Sequence, residues 1–184
     1  MEKVVLSFLG KDRPGIVAGI SRILLEKACN IEDVSMTTLQ NEFAAIFIAS
    51  IPERLQPEEL LHELRTGLQS LGLEVLLKRS ERLEDLPASK PAEPFVVTTM
   101  SADRLGLVAG IAEVMANFGA NITNLKAVFR GGDDPRRNVM IYEVDVPVEI
   151  DHQAFRYALR KRADDLELDL SLQHRDIFEE IHRL

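Results

Sequence analysis

Along this chain the spacing of apolar residues alternates between two and roughly four, and each change marks a new element. The stretch Lys3-Val4-Val5-Leu6-Ser7-Phe8-Leu9-Gly10 is β-branched and apolar and stops at glycine, which predicts a strand. Ile16, Ile20, Ile23 and Leu24 then recur at helical spacing, with Pro14 suited by its fixed φ to the first helical turn. Residues 31–39 read as a second strand, Gln40-Asn41-Glu42 as a polar turn, and Phe43 to Ile51 as a third strand closed by Pro52. Pro57-Glu58-Glu59 opens a second helix with its acids at the positive end of the dipole; Leu61, Leu64, Leu68 and Leu71 form its stripe and Gly72 ends it. Residues 73–79 are a fourth strand, so the order is β-α-β-β-α-β.

The same order then returns. Residues 95–101 predict a strand; Leu107, Ile111, Val114, Met115 and Phe118 predict a helix ended by Gly119. Residues 122–130 and 138–146 form a hairpin around the polar loop 131–137, which carries Arg136 and Arg137. Asp151 is placed to cap a helix carrying Phe155, Ala158, Leu159 and Leu166. Leu168, Leu170 and Leu172 alternate with polar residues as a half-buried strand, and 176–184 predicts a short helix with Ile177, Phe178 and Ile181 on one side. The expected class is α+β: two ferredoxin-like βαββαβ units, each an antiparallel sheet with helices on one face. The first domain spans 1–80, a proline-rich linker 81–94, and the second domain 95–184. Phe43 to Ala49 is apolar on both sides, whereas the matching 139–145 alternates in its later half, so more of the first sheet's face is expected to be covered, by the other repeat or by a second chain.

Duplication is visible in the residues themselves. Asp12-Arg13-Pro14-Gly15-Ile16-Val17-Ala18-Gly19-Ile20 recurs 91 positions later as Asp103-Arg104-Leu105-Gly106-Leu107-Val108-Ala109-Gly110-Ile111, and Asn30-Ile31 as Asn121-Ile122. A unit this long is a repeated domain, since solenoid periods run about 20–50 residues.

Composition narrows the function classes. The net charge is −8 and both repeats are net acidic, which disfavours direct nucleic-acid binding. No apolar run reaches membrane-spanning length, and the first residues carry no signal-peptide pattern. A single cysteine, Cys29, rules out an intramolecular disulfide and fits a reducing cytoplasm. Cys29 takes the place of Ala120, which argues for packing; His62, His152, His174 and His182 show no metal-ligand spacing. No phosphate loop or nucleophile elbow is present, so no enzyme, metal or cofactor is expected.

The repeated turns are the candidate chemistry. Gly15 and Gly106 open helices, where free backbone N–H groups suit a carboxylate and the missing Cβ admits a ligand; the alternative is a glycine kept for the turn alone. Asn30 and Asn121 offer donor and acceptor together, or else terminate the preceding helix in the left-handed conformation. Asp12 and Asp103 fit helix capping or a surface ion pair, with a ligand ammonium as the alternative. Gly19 and Gly110 inside helices imply close packing against the sheet or a neighbouring domain.

With Asp-Arg-Pro-Gly-Ile-Val after the first strand and Cys-Asn-Ile-Glu-Asp at the second, the unit resembles the ACT domain, a regulatory module that binds amino acids. Two such units in one short chain resemble the glycine cleavage system transcriptional repressor family, and Asn30-Ile31-Glu32-Asp33 with Glu42-Phe43 is close to that family's first repeat. The resemblance implies an amino-acid effector such as glycine, held between domains, with a transcription activator as protein partner and a homodimer as assembly. Carried over to this chain, it places one site at Asp12, Arg13, Pro14, Gly15, Ile16 and Val17 with Asn30 and Ile31. The other lies at Asp103, Arg104, Leu105, Gly106, Leu107 and Val108 with Asn121 and Ile122. Leu105 in place of Pro14 makes the second turn less rigid, and a ligand-free interaction module is the alternative reading.

Overall fold

The computed structural model describes residues 2–80, 90–129 and 138–182. Residues 81–89 of the expected linker and the whole 131–137 loop, with Arg136 and Arg137, lie outside the described residues. The chain divides into two compact units, Met1–Pro87 and Ala88–Leu184.

In the first unit β1 (Glu2–Lys11), α1 (Ile16–Glu26), β2 (Asn30–Leu39), β3 (Glu42–Ile51), α2 (Pro57–Gly67) and β4 (Glu74–Arg79) follow one another. The sheet order is β2-β3-β1-β4, antiparallel throughout. The second unit repeats the plan with β5 (Ala92–Ser101), α3 (Leu107–Asn117), β6 (Asn121–Phe129), β7 (Asn138–Pro147), α4 (His152–Asp165) and β8 (Asp169–His174), in sheet order β6-β7-β5-β8, and adds α5 (Arg175–His182). Two ferredoxin-like βαββαβ units of the α+β class are therefore present.

One face of each sheet is buried under its two helices. Val4, Leu6 and Phe8 of β1 point inward with Phe43, Phe47 and Ala49 of β3, against Ile16, Ile20 and Leu24 of α1 and Leu60 and Leu64 of α2. Phe8 and Phe47 meet edge to face with centroids 5.4 Å apart, the favoured geometry for aromatic pairs. Gly19 and Gly110 face the partner helix of their own unit. A Cβ on Gly19 would lie 3.2 Å from Leu68, and one on Gly110 2.7 Å from Leu166. The close packing inferred for them is thus helix against helix, within a unit.

Several local expectations give way. Pro14 precedes the helix: α1 starts at Ile16 and its N-cap is Gly15. β5 begins at Ala92, so Ala92, Glu93 and Pro94 are strand and not linker, in register with Pro147, Val146 and Asp145. Pro94 is tolerated because β8 pairs only from Phe95 onward, leaving no donor wanted on that side. The left-handed residue after α1 is Ala28, and after α3 it is Gly119; Asn30 and Asn121 are extended, paired with Ser50 and Asp145. Each edge strand then breaks register, at Ile31/Asp33 in β2 and at Ile122/Asn124 in β6.

Within the units themselves, the outer face of the second sheet carries the cover. On the face of the first sheet away from the helices, Leu9, Ile46 and Leu76 are exposed. On the corresponding face of the second, α5 packs on β5 and β8, Arg175 reaches Glu143 at 3.8 Å and Asp145 at 3.6 Å, and Val96 is buried. Alternation along β3 and β7 does not report this cover, which comes from a helix beyond the repeated unit.

Two expectations test this packing. Asp151 Oδ1 accepts from the amides of Gln153 (2.8 Å) and Ala154 (3.0 Å) at the start of α4. Asp151→Ala is expected to cost ~1 kcal/mol, read as a lower midpoint in thermal melts followed by circular dichroism. Cys29 is buried, and burial pushes its thiol up from the ordinary value, with Lys27 opposing. Iodoacetamide is therefore expected to alkylate the native chain at neutral pH at least about tenfold more slowly than the urea-unfolded chain, by mass spectrometry.

Candidate functional site

Strand β1 ends at Lys11, and the chain must turn over the end of the sheet to start α1. Gly15 makes the turn with φ 95°, and Gly106 does the same in the second unit with φ 87°. This left-handed region strains any residue with a Cβ, so glycine is demanded by the backbone itself. Space remains as well: a Cβ at either position would meet nothing within 4 Å. Both glycines are N-caps, and neither helix start receives a side-chain hydrogen bond. The first helical bonds run from Gly19 N–H to Gly15 O and from Gly110 N–H to Gly106 O. The amides of residues 16–18 and 107–109 therefore precede the ladder, at the positive end of each helix dipole. That is the arrangement an anionic group binds.

Asp12 and Asp103 do not cap the helices, which removes one of the roles expected for them. Asp12 instead anchors the turn through its backbone, donating its N–H to Asn41 O at 2.8 Å, beside the Lys11–Glu42 ion pair. The β1–α1 turn and the β2–β3 hairpin are thus joined at one end of the sheet. Asp103 Oδ1 accepts from Asn138 Nδ2 at 3.2 Å, tying the second turn to the first residue of β7. Asn138 is buried and its Oδ1 has no hydrogen-bond partner among the described residues. Sequence reasoning missed it, because the matching first-unit position is the core residue Phe43.

The two arginines differ. Arg104 bonds the carbonyl of Leu166 at the end of α4 and pairs with Glu167 at 2.9 Å. With Met100, Ser101, Ala102, Glu167 and Asp169 it lines a polar hollow of about 260 Å³. Arg13 is exposed and makes no hydrogen bond or ion pair among the described residues. Leu105 projects fully into solvent where the first turn has Pro14. Ile16 and Leu107 are buried in the core, so their side chains serve packing and only their amides face the turn; Val17 and Val108 are partly accessible.

Asn30 and Ile31 are not brought to the turn. Asn30 pairs with Ser50, and Ser50 with Lys3, whereas the turn follows Lys11 at the other end of β1. Eight residues of extended chain separate the two ends, about 27 Å at 3.4 Å per residue. Asn121 and Ile122 are at the corresponding far end of the second sheet. The directions of β1 and β2, which sequence adjacency does not reveal, decide this. Among the described residues no group of three metal-ligating side chains converges, and no helix is long and apolar enough to cross a membrane.

Comparison with known proteins bears on the family and the fold. Residues 2–78 match the family model of the ACT domain. A UPF0237 protein of Methanopyrus kandleri is 38% identical over 82 residues, which make up 44% of this chain and 91% of the relative. Another from Methanocaldococcus jannaschii is 39% identical with the same coverage. Among solved structures, a protein of unknown function from Galdieria sulphuraria superposes with a TM-score of 0.78 at 23% identity, over 94% of this chain and 98% of that one. A provisionally assigned glycine cleavage system transcriptional repressor superposes with a TM-score of 0.64 at 20% identity, over 94% and 96%. These two likenesses concern the fold alone. By its family match and its relatives, the chain belongs to the ACT-domain family through its first unit, and its second unit repeats the same βαββαβ order.

Proposed function

We propose that this chain is a non-enzymatic regulator that binds a small amino acid at its strand-to-helix turns and thereby changes how it meets a protein partner. The observation that carries the reading is the pair of uncapped helix N-termini, each opened by a left-handed glycine with free space above it. The effector's α-carboxylate lies on the free amides, where charge-assisted bonds are strongest. At the second turn its ammonium meets Asp103 and Oδ1 of Asn138, which has no hydrogen-bond partner among the described residues. Asn30, Ile31, Asn121 and Ile122 lie at the far end of their own sheets and do not reach a ligand at the turn of their own unit.

Glycine is the first effector to test, and a transcription activator governing amino-acid metabolism, glycine cleavage in particular, is the partner class. Support comes from the ACT family and from the repressor-like fold neighbour. A cytoplasmic setting fits both. Coupling works by linkage: an effector shifts the partner equilibrium only as far as it prefers one state, and the partner strengthens effector binding by the same factor. A ligand-free interaction module is the second reading, favoured by the exposed apolar face of the first sheet.

The two turns are unequal under this reading. Pro14 stiffens the first, and Arg13 is free to approach a carboxylate, whereas Arg104 is already engaged. The first turn is the tighter site.

A thermal-shift screen of the amino acids tests the proposal. A true effector at 100 times its dissociation constant is expected to stabilise the chain by ~2.7 kcal/mol, whereas no shift with any amino acid would overturn effector binding. Gly15→Ala is expected to remove most of that shift and to cost about 1–2 kcal/mol of stability from its φ alone. Pro14→Leu is expected to weaken the tighter step in calorimetric titration severalfold without changing the weaker one; equal weakening of both would show that the turns do not bind independently.

A further inference from the structure

We infer that the open face of the first sheet is a self-association surface, on which a second copy of this chain lays its own first sheet. This goes beyond effector binding and does not depend on it. Leu9 is 50% exposed, Ile46 52% and Leu76 66%, a high cost for large apolar side chains clustered on one sheet face. Cross-strand register places them together: Ser7 lies opposite both Ile46 and Leu76, and Leu9 opposite Ala44 and Glu74. Val5, opposite Ile48, continues the patch. A hollow of about 360 Å³ lies over its centre.

Charge frames the patch at both ends. Lys11 pairs with Glu42 at one end and Lys3 with Glu32, at 2.5 Å, at the other. An apolar centre with a polar rim is the anatomy of a specific protein interface. The frame is also complementary to itself. On β4, Glu74 and Lys78 stand two residues either side of Leu76, so a two-fold axis crossing the strands at Leu76 sets Glu74 of one copy against Lys78 of the other. The same axis lays the Lys11–Glu42 end of one sheet over the Lys3–Glu32 end of its mate, each bringing both signs. A closed pair of like faces needs this arrangement.

Size fits a second copy too. Four strands about 4.8 Å apart, over eight residues at about 3.4 Å, give a footprint of roughly 500 Å² per copy. Two such faces bury on the order of 1,000 Å², the lower limit for a specific interface, so association is expected to be reversible. The second unit shows what happens without such a role. There the positions matching Ile48 and Leu76 are Glu143 and Ser171, and α5 covers the face through Arg175 with Glu143 and Asp145.

The test is light scattering after size exclusion, with sedimentation over a concentration series, on the full chain. The wild type is expected to move from monomer to dimer as concentration rises. Leu76→Lys and Ile46→Asp, both at exposed positions, are expected to remain monomeric with unchanged circular dichroism and melting. Glu74→Lys and Lys78→Glu are each expected to weaken the dimer several-fold, and the double exchange to restore it. A wild type monomeric at every concentration overturns the inference, as does a dimer indifferent to all four changes. Capture of a different protein by a monomeric wild type, lost in Leu76→Lys, overturns self-pairing in favour of that partner. The thermal shift with amino acids is measured on Leu76→Lys in parallel; its persistence there separates the fate of this surface from that of the effector reading.

Discussion

Between Lys11 and Ile16 the backbone has to leave the end of a strand and come back across the sheet as a helix, within a handful of residues. Only a left-handed residue closes so short a turn, and Gly15 and Gly106 supply it at φ near 90°. Much follows from that reversal. It lays α1 and α3 over the inward side chains of β1 and β5, and so decides which face of each sheet becomes core. It sets the first amides of both helices ahead of the helical ladder, with no side-chain cap at either start. The packing of the fold and the chemistry of its candidate site therefore share one backbone constraint, which explains how a short motif can survive duplication while its neighbours change.

Those neighbours have changed a good deal. In the second unit the turn is laced to its surroundings: Arg104 to the end of α4, Asp103 to Asn138. In the first, a backbone bond ties Asp12 to Asn41, and Arg13 makes no hydrogen bond or ion pair among the described residues. The outer sheet faces diverge in the same sense. One is roofed by a helix of its own chain and held by an arginine between two acids; the other presents Leu9, Ile46 and Leu76. Duplication has produced two units with one frame and different surfaces.

Most of the frame was legible because short-range patterns report it. Ile16, Ile20, Ile23 and Leu24 fall on one helical face, and all four are core. Asp151 announced a cap and forms one. The helix starts were less well marked: Pro14 drew the boundary too early, because a proline suits a turn before the N-cap as well as the first helical turn. The site was legible in part. Glycines at a strand-to-helix turn carry their meaning locally, but the distance from Asn30 to that turn depends on β1 and β2 running the same way up the sheet. No window of sequence contains that fact. Asn138 was invisible for a similar reason, since its partner Asp103 is distant in the chain and meets it only through the register of β5 with β7. The covered face of the second sheet escaped notice because strand alternation records burial without recording what does the burying.

The register break shared by β2 and β6 has a consequence of another kind. Both are edge strands with backbone donors and acceptors free along one side, the usual template for uncontrolled growth of a sheet from molecule to molecule. The extra residues, Glu32 in one strand and Thr123 in the other, interrupt the ladder near its start, and Glu32 and Asp33 add charge at that point. A foreign strand arriving there finds hydrogen-bonding groups out of step. An acidic chain built from two sheets with such edge strands is thereby steered away from fibrous aggregation.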